Sequence, residues 1–181
     1  MTGVSAKERD DGYFMQIALS LARESRTDDV PVGAVVVVGG EIVGKGANQG
    51  RIRYDPTAHA EIVALRMAAE TLRNYRLPGS VLYVTLEPCF MCFGALLESR
   101  VSRLVFGARE PRRGVTGSLY DLHNDPRLVH RVDVVEGPYA EESTALLREF
   151  FEKKRGREND SKMRSVPSSP GRSSPHWGTR S

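Results

Sequence analysis

SVLYVTLEPCFMCFGALLES, residues 80–99, changes its period halfway through. Residues 81–86 are mostly β-branched, aromatic or leucine, the pattern of a buried strand. From Pro88 onward the apolar residues keep helical spacing, and proline suits a first helical position. A strand that feeds directly into an apolar helix is half of an α/β unit. The junction also carries the chain's only two cysteines, Cys89 and Cys92. Three apart at a helix start, both sulfurs lie on one face within reach of one ion. The helix dipole and the unsatisfied N–H groups there favour thiolate, the form that binds metal.

The flanking sequence continues the alternation. Residues 11–24 read as an amphipathic helix, with Phe14, Ile17, Ala18, Leu21 and Ala22 on one face. VPVGAVVVVGGEIVGKGAN, residues 30–48, reads as two strands joined by Gly39-Gly40, a two-residue hairpin signal. A helix is predicted from about Thr57 to Leu72, entered through Asp55-Pro56. It has one stripe of Ile62, Leu65, Ala69 and Leu72 and a small-residue stripe of Ala60, Ala64 and Ala68, which suits burial against a sheet. RLVFGA (103–108) and RVDVVEG (131–137) are further strands, separated by a long polar loop over 109–130, and residues 140–156 form a last amphipathic helix. Strands and helices in alternation make an α/β layered domain with a mixed sheet. From Gly156 the apolar pattern stops. Residues 156–181 are rich in Ser, Pro and Arg, lack periodicity and read as a disordered tail, with the lone Trp177 inside it. The domain is therefore expected over 1–155.

Composition excludes several classes. With 40% hydrophobic and 27% charged residues the chain is of ordinary globular type. The first 14 residues hold no apolar segment of a secretory signal, and VPVGAVVVV is too short to span a bilayer. Two cysteines in one motif make no disulfide framework and fit a reducing, cytoplasmic setting. The formal net charge is +3, yet residues 156–181 hold five basic against two acidic residues, so 1–155 are formally neutral. A case for a nucleic-acid partner then rests on a local cluster: Arg100, Arg103, Arg109, Arg112 and Arg113 against Glu98 and Glu110. On charge alone a solvated loop is the better explanation of that cluster.

PTAHAE, residues 56–61, supplies a third candidate ligand, His59. Two thiolates and one imidazole make three protein ligands. Structural zinc is closed by four, whereas catalytic zinc keeps one position open for water. His123 and His130 stand in no metal-like spacing, so the open site is favoured. A C-x-x-C pair is also compatible with a redox protein, and a zinc-stabilised binding module without chemistry is a third reading. Glu61 lies two residues from His59. In mid-helix such residues diverge by about 200°, but at a helix mouth both side chains reach an ion off its end. Glu61 would then stand beside a metal-bound water as a proton acceptor.

H-A-E at 59–61 with P-C-F-M-C at 88–92 matches the H-x-E…P-C-x-x-C signature of zinc nucleobase deaminases. The chain further resembles the bacterial tRNA-specific adenosine deaminases in VPVGAVVV, DPTAHAEIVALR, NYRL, LYVTLEPCFMCFGAL, VFGARE, TGSL and LLREFF, from about residue 12 to residue 155. The resemblance implies a cytidine deaminase-like fold, a three-layer α/β/α sandwich with a mixed sheet of about five strands. It implies one Zn2+ per subunit on His59, Cys89 and Cys92, with Glu61 as the catalytic proton shuttle, and a homodimer. It implies hydrolysis of the wobble adenosine to inosine in a tRNA anticodon stem-loop, through attack of zinc-bound hydroxide on adenine C6. Asn48, Val30, Pro31, Ala60, Ala108 and Glu110 are its implied substrate contacts. The family usually has Asp where this chain has Glu110. Arg112, Arg113, Lys153, Lys154 and Arg155 are candidate RNA contacts. A deaminase of a free base or nucleoside (guanine, cytosine or cytidine) shares the signature and is the alternative.

Overall fold

The computed structural model describes residues 10–25 and 28–164. Five strands form one sheet in the order β2-β1-β3-β4-β5: β1 (Gly33–Val38), β2 (Glu41–Ala47), β3 (Val81–Leu86), β4 (Arg103–Ala108) and β5 (Asp133–Glu136). β1 runs antiparallel to both neighbours, β2 and β3, while β3, β4 and β5 are mutually parallel. Four strands therefore point one way, and their C-terminal ends share one edge of the sheet. Gly39 and Gly40, both at positive φ, close the β1–β2 hairpin as its two-residue turn requires.

β1 is buried on both faces, which is why its sequence does not alternate in polarity. Ala34 and Val36 join Leu82, Val84, Leu104 and Phe106 in one core with helices α3 (Ala60–Leu72) and α4 (Phe90–Glu98). Val35 and Val37 join Tyr83 and Val105 in a second core with Phe14, Met15 and Ala18 of α1 (Asp11–Glu24). The sheet thus lies between helical layers, the expected three-layer sandwich. Asp10 caps α1 by accepting from the Tyr13 amide at 3.0 Å. Asp11, one position on, ties the helix to the sheet. It accepts from both terminal nitrogens of Arg103, each at 2.8 Å, and from the Tyr83 hydroxyl at 2.8 Å.

The small-residue stripe of α3 meets glycines of β2. A Cβ on Gly44 would run into the backbone of Ala64, and one on Gly46 into the backbone of Ala60 and Ala64. Bare strand backbone thus lets the first turn of α3 lie close on the sheet.

Three boundaries differ from expectation. α3 begins at Ala60, not Thr57, because Asp55 Oδ1 accepts from the Thr57 amide (2.8 Å) and hydroxyl (2.7 Å), folding 55–57 into a turn. α4 begins at Phe90, which leaves Pro88 before the helix. A short helix, α2 (Gly50–Arg53), occupies a stretch to which sequence alone assigned no element. The last helix, α5 (Ala140–Arg164), continues eight residues beyond Gly156, so the onset of the tail expected at 156 is helical; residues 165–181, with Trp177, lie outside the described residues. Contacts divide the chain into a unit over Met1–Phe150 and a second over Phe151–Ser181. No described helix is long and apolar enough to cross a membrane.

Candidate metal centre

The site stands where β2 and β3 run out. His59 is the N-cap of α3 and Cys89 the N-cap of α4, both in extended backbone, and neither side chain caps its own helix. Caps are ordinarily Ser, Thr, Asp or Asn. Here two helix starts give up that bond, and their side chains turn toward each other instead. Cys92, three residues into α4, completes the group.

His59 Nδ1 lies 3.6 Å from Cys89 Sγ and 3.4 Å from Cys92 Sγ, and the three ligand atoms fall within 4.8 Å of one another. In a tetrahedral zinc site, with Zn–N near 2.0 Å and Zn–S near 2.3 Å, adjacent ligand atoms stand about 3.6 Å apart. Donor chemistry and spacing therefore fit Zn2+. Cys92 is fully buried and Cys89 half-buried. The two thiols are unequal. A hydrogen bond from Cys92 holds Cys89 down at about 3. The same bond, together with burial and the Glu61 charge, pushes Cys92 far above the ordinary thiol range. Metal binds the thiolate form of both sulfurs, so its binding is linked to the loss of their protons. His59 is raised, chiefly by its hydrogen bond with Cys89 and against burial.

Glu61 is buried at 4% exposure in hydrogen-bonding contact with Cys92. Burial raises its carboxyl above the usual range. The two-residue spacing from His59 works because His59 is extended rather than helical, so the 200° helical rotation does not apply. Among the described residues no other His, Cys, Asp or Glu group of this kind occurs. His130 Nε2 lies 2.7 Å from the Val101 carbonyl, and His123 sits against Asp121; neither joins the centre.

Three of the predicted substrate contacts, Val30, Asn48 and Ala60, share one network. Asn48 donates to the Val30 carbonyl and accepts from the Ala60 amide, both at 2.9 Å, bridging the segment before β1 to the first turn of α3. Its side chain keeps one N–H and one lone pair for other partners. Pro31 and Ala108 are buried. Glu110 accepts from the Arg112 amide at 3.0 Å. The arginine cluster splits. Arg103 pairs with Asp11 and Arg109 with Glu136. Arg112 and Arg113 are exposed on the loop, and Arg113 acts electrostatically on His59. Lys153, Lys154 and Arg155 are exposed on α5 beyond Phe150, in the second unit.

Sequence reasoning overlooked Glu87, which precedes Pro88 in the opening motif. Its buried carboxylate accepts from the amides of Glu110 (3.0 Å), Thr116 (2.9 Å) and Ser118 (3.1 Å), and from the hydroxyls of Thr116 and Ser118. Burial opposes its charge, but these donors outweigh burial and hold the group below the ordinary carboxylate range. The long loop after β4 is thus tied to the corner that carries Cys89. The only available signal was a charged residue at the end of an apolar strand.

Residues 8–108 match the family described as the cytidine and deoxycytidylate deaminase zinc-binding region. The chain is 45% identical to the tRNA-specific adenosine deaminase of Haemophilus influenzae over 86% of this chain and 91% of that protein. It superposes with a TM-score of 0.72, at 43% identity and covering 75% of this chain and 99% of the other, on a structure from work on A-to-I editing by tRNA:A34 deaminases at the wobble position. The guanine deaminase of Nitrosomonas europaea is more distant, at 27% identity and a TM-score of 0.60, covering 83% of this chain and 86% of that one.

Proposed function

We propose, from the premise that this chain belongs to the tRNA-specific adenosine deaminases within the zinc-dependent cytidine and deoxycytidylate deaminase family, that it hydrolyses the wobble adenosine of a tRNA anticodon loop to inosine and ammonia. The observation that carries the reading is the convergence of His59, Cys89 and Cys92 within 4.8 Å beside a buried Glu61.

In this reading His59, Cys89 and Cys92 hold one Zn2+. When bound, zinc supplies Lewis acidity that makes a water acidic enough to be a nucleophile near neutral pH. Glu61 takes the proton of the attacking water and delivers it to adenine N1, which makes C6 electrophilic. Water oxygen adds to C6, Glu61 takes the remaining proton from the new C6 hydroxyl and passes it to the departing amine, and ammonia leaves as the C6 carbonyl forms. Burial raises this carboxyl, which favours its holding a proton between the two transfers. The Asn48 bridge supports a base pocket lined by Val30, Pro31, Ala60 and Ala108. Arg112, Arg113, Lys153, Lys154 and Arg155 offer charge for phosphates. The anticodon loop is unpaired, so splaying out its base avoids the cost of opening a duplex. Residues 1–155 form the deaminase domain in this reading, and 156–181 an appended tail. A cytoplasmic setting and a homodimer complete it, both on family grounds.

The likeness to a guanine deaminase favours one second reading, a free base as substrate. An inosine assay on an anticodon stem-loop, beside free adenosine, cytidine and guanine, separates the two. Conversion of the stem-loop alone is expected; conversion of a free base alone would keep the site and replace the substrate.

A further inference from the structure

Three consecutive residues beyond β3 each hold something different. Cys89 belongs to the metal centre. The Pro88 carbonyl accepts from the Val115 amide at 3.1 Å. Glu87 holds the segment that leaves β4 at two points. Its amide donates to the Ala108 carbonyl at 2.8 Å, and its carboxylate accepts from the Glu110 amide at 3.0 Å. Ala108 and Glu110 are both implied substrate contacts. Glu110 is itself a node: its carbonyl accepts from the Gly114 amide at 2.8 Å, and its carboxylate accepts from the Arg112 amide at 3.0 Å.

Attachment of the loop to the fold does not need Glu87. Val115 is fully buried in the main core and anchors the loop there. An apolar residue at position 87 would serve such packing. The chain instead buries a carboxylate at 2% exposure, which is costly unless the group is hydrogen-bonded. A carboxylate offers several acceptor sites, and this one takes the amides of Glu110, Thr116 and Ser118 and the hydroxyls of Thr116 and Ser118. Gly114 shows how closely the loop is drawn in: a Cβ there would run into the Glu87 carboxylate and the Glu110 carbonyl. Directional bonds of this kind set the path of a loop more narrowly than apolar packing, which has no direction.

Resting on the tRNA deaminase reading, we propose that Glu87 is a positioning residue for substrate binding: through the Glu110 amide it sets where the wall of Ala108 and Glu110 stands relative to the metal centre. It touches no reacting atom. Glu61 and the metal ligands sit at the starts of α3 and α4, so Glu87 acts on the hold on substrate and not on the chemical step.

The test uses Glu87→Gln in the zinc-loaded full chain. Glutamine keeps the shape but exchanges one acceptor oxygen for a donor. Its nitrogen fits beside the Ser118 hydroxyl, which can turn to accept, and there it faces the Glu110 N–H. The opposite orientation sets it against the Thr116 and Ser118 amides, two clashes instead of one. The Glu110 bond is therefore the one lost. Residue-resolved hydrogen exchange is expected to quicken about tenfold at the Glu110 amide while Thr116 and Ser118 stay protected. KM for an anticodon stem-loop is expected to rise about tenfold, with kcat and zinc content held. Gly114→Ala displaces the same carboxylate from the loop side and is expected to raise KM likewise. Unchanged KM in both variants, with native turnover intact, would overturn the proposal alone. A fall in kcat or zinc content in step with the rise in KM would make Glu87 a support of the metal corner and would also overturn it. No turnover of the stem-loop by the native protein would overturn the tRNA reading instead.

Discussion

At the scale of single residues, chemistry at the site is divided between groups that hold and a group that moves protons. Glu61→Ala removes the proton carrier and leaves the three ligand atoms in place. It is expected to keep zinc, measured by metal analysis, while activity falls by about two to four orders of magnitude. Turnover near the native rate would refute the shuttle role. Cys89→Ala removes a ligand and uncouples the starts of α3 and α4. Because metal binding and folding are linked, this variant is expected to lose both zinc and melting temperature. An unchanged melting temperature in the metal-free protein would count against that linkage. These residues were legible in the sequence because their types are rare in it: two cysteines, and one of four histidines in the right motif. Glu87 was not legible, because one glutamate among many carries no sign of burial. Its role depends on a loop that returns to it more than twenty residues later.

At the scale of elements, the position of the site depends on how closely helices approach the sheet. Gly46 lets the first turn of α3, with Ala60 and Glu61, lie on β2. Gly46→Ala forces a backbone shift costing about 1–3 kcal/mol. Denaturant unfolding is expected to show this loss together with weaker zinc retention. A loss of stability with native zinc affinity would mean that the first turn of α3 is positioned independently of β2. On the opposite face, Asp11 docks α1 through Arg103 and Tyr83. The hydrogen bond from Arg103 holds the Asp11 carboxyl below its usual value, against burial, and the Tyr83 hydroxyl adds to this. Since the folded value lies below the unfolded one of about 3.9, this stabilisation is present above about pH 4 and is lost as pH falls through the folded value. Asp11→Asn is expected to cost about 1–2 kcal/mol at pH 7, and the gap from the native protein should close in acid. A gap independent of pH would show that the ion pair contributes nothing. Strands and main helices were legible from their periods. Helix starts were missed by two or three residues where side chains rewrote them. Asp55 folds the chain into a turn that apolar spacing does not register.

At the scale of the molecule, four strands end at one edge of the sheet, and the site is assembled from the segments that leave three of them. Asn48 and His59 follow β2, Glu87 and Cys89 follow β3, and Glu110 to Tyr120 follow β4. Among the described residues, every buried side chain lies at or before Ser143. Truncation after Arg164 is therefore expected to leave melting temperature and inosine formation unchanged. A drop in melting temperature would assign residues 165–181 a part in the fold. Sequence gave the mixed sheet and its layers, since periodicity and motif order carry them. It placed the end of the last helix eight residues too early, because polar residues without periodicity read alike in a solvated helix and in coil. Glu87 also has a consequence for descent. It grips the long loop largely through main-chain amides, which nearly every amino acid supplies. Side chains along that loop can then drift under selection while its path persists, so a lineage can acquire new substrates without rebuilding the enzyme beneath them.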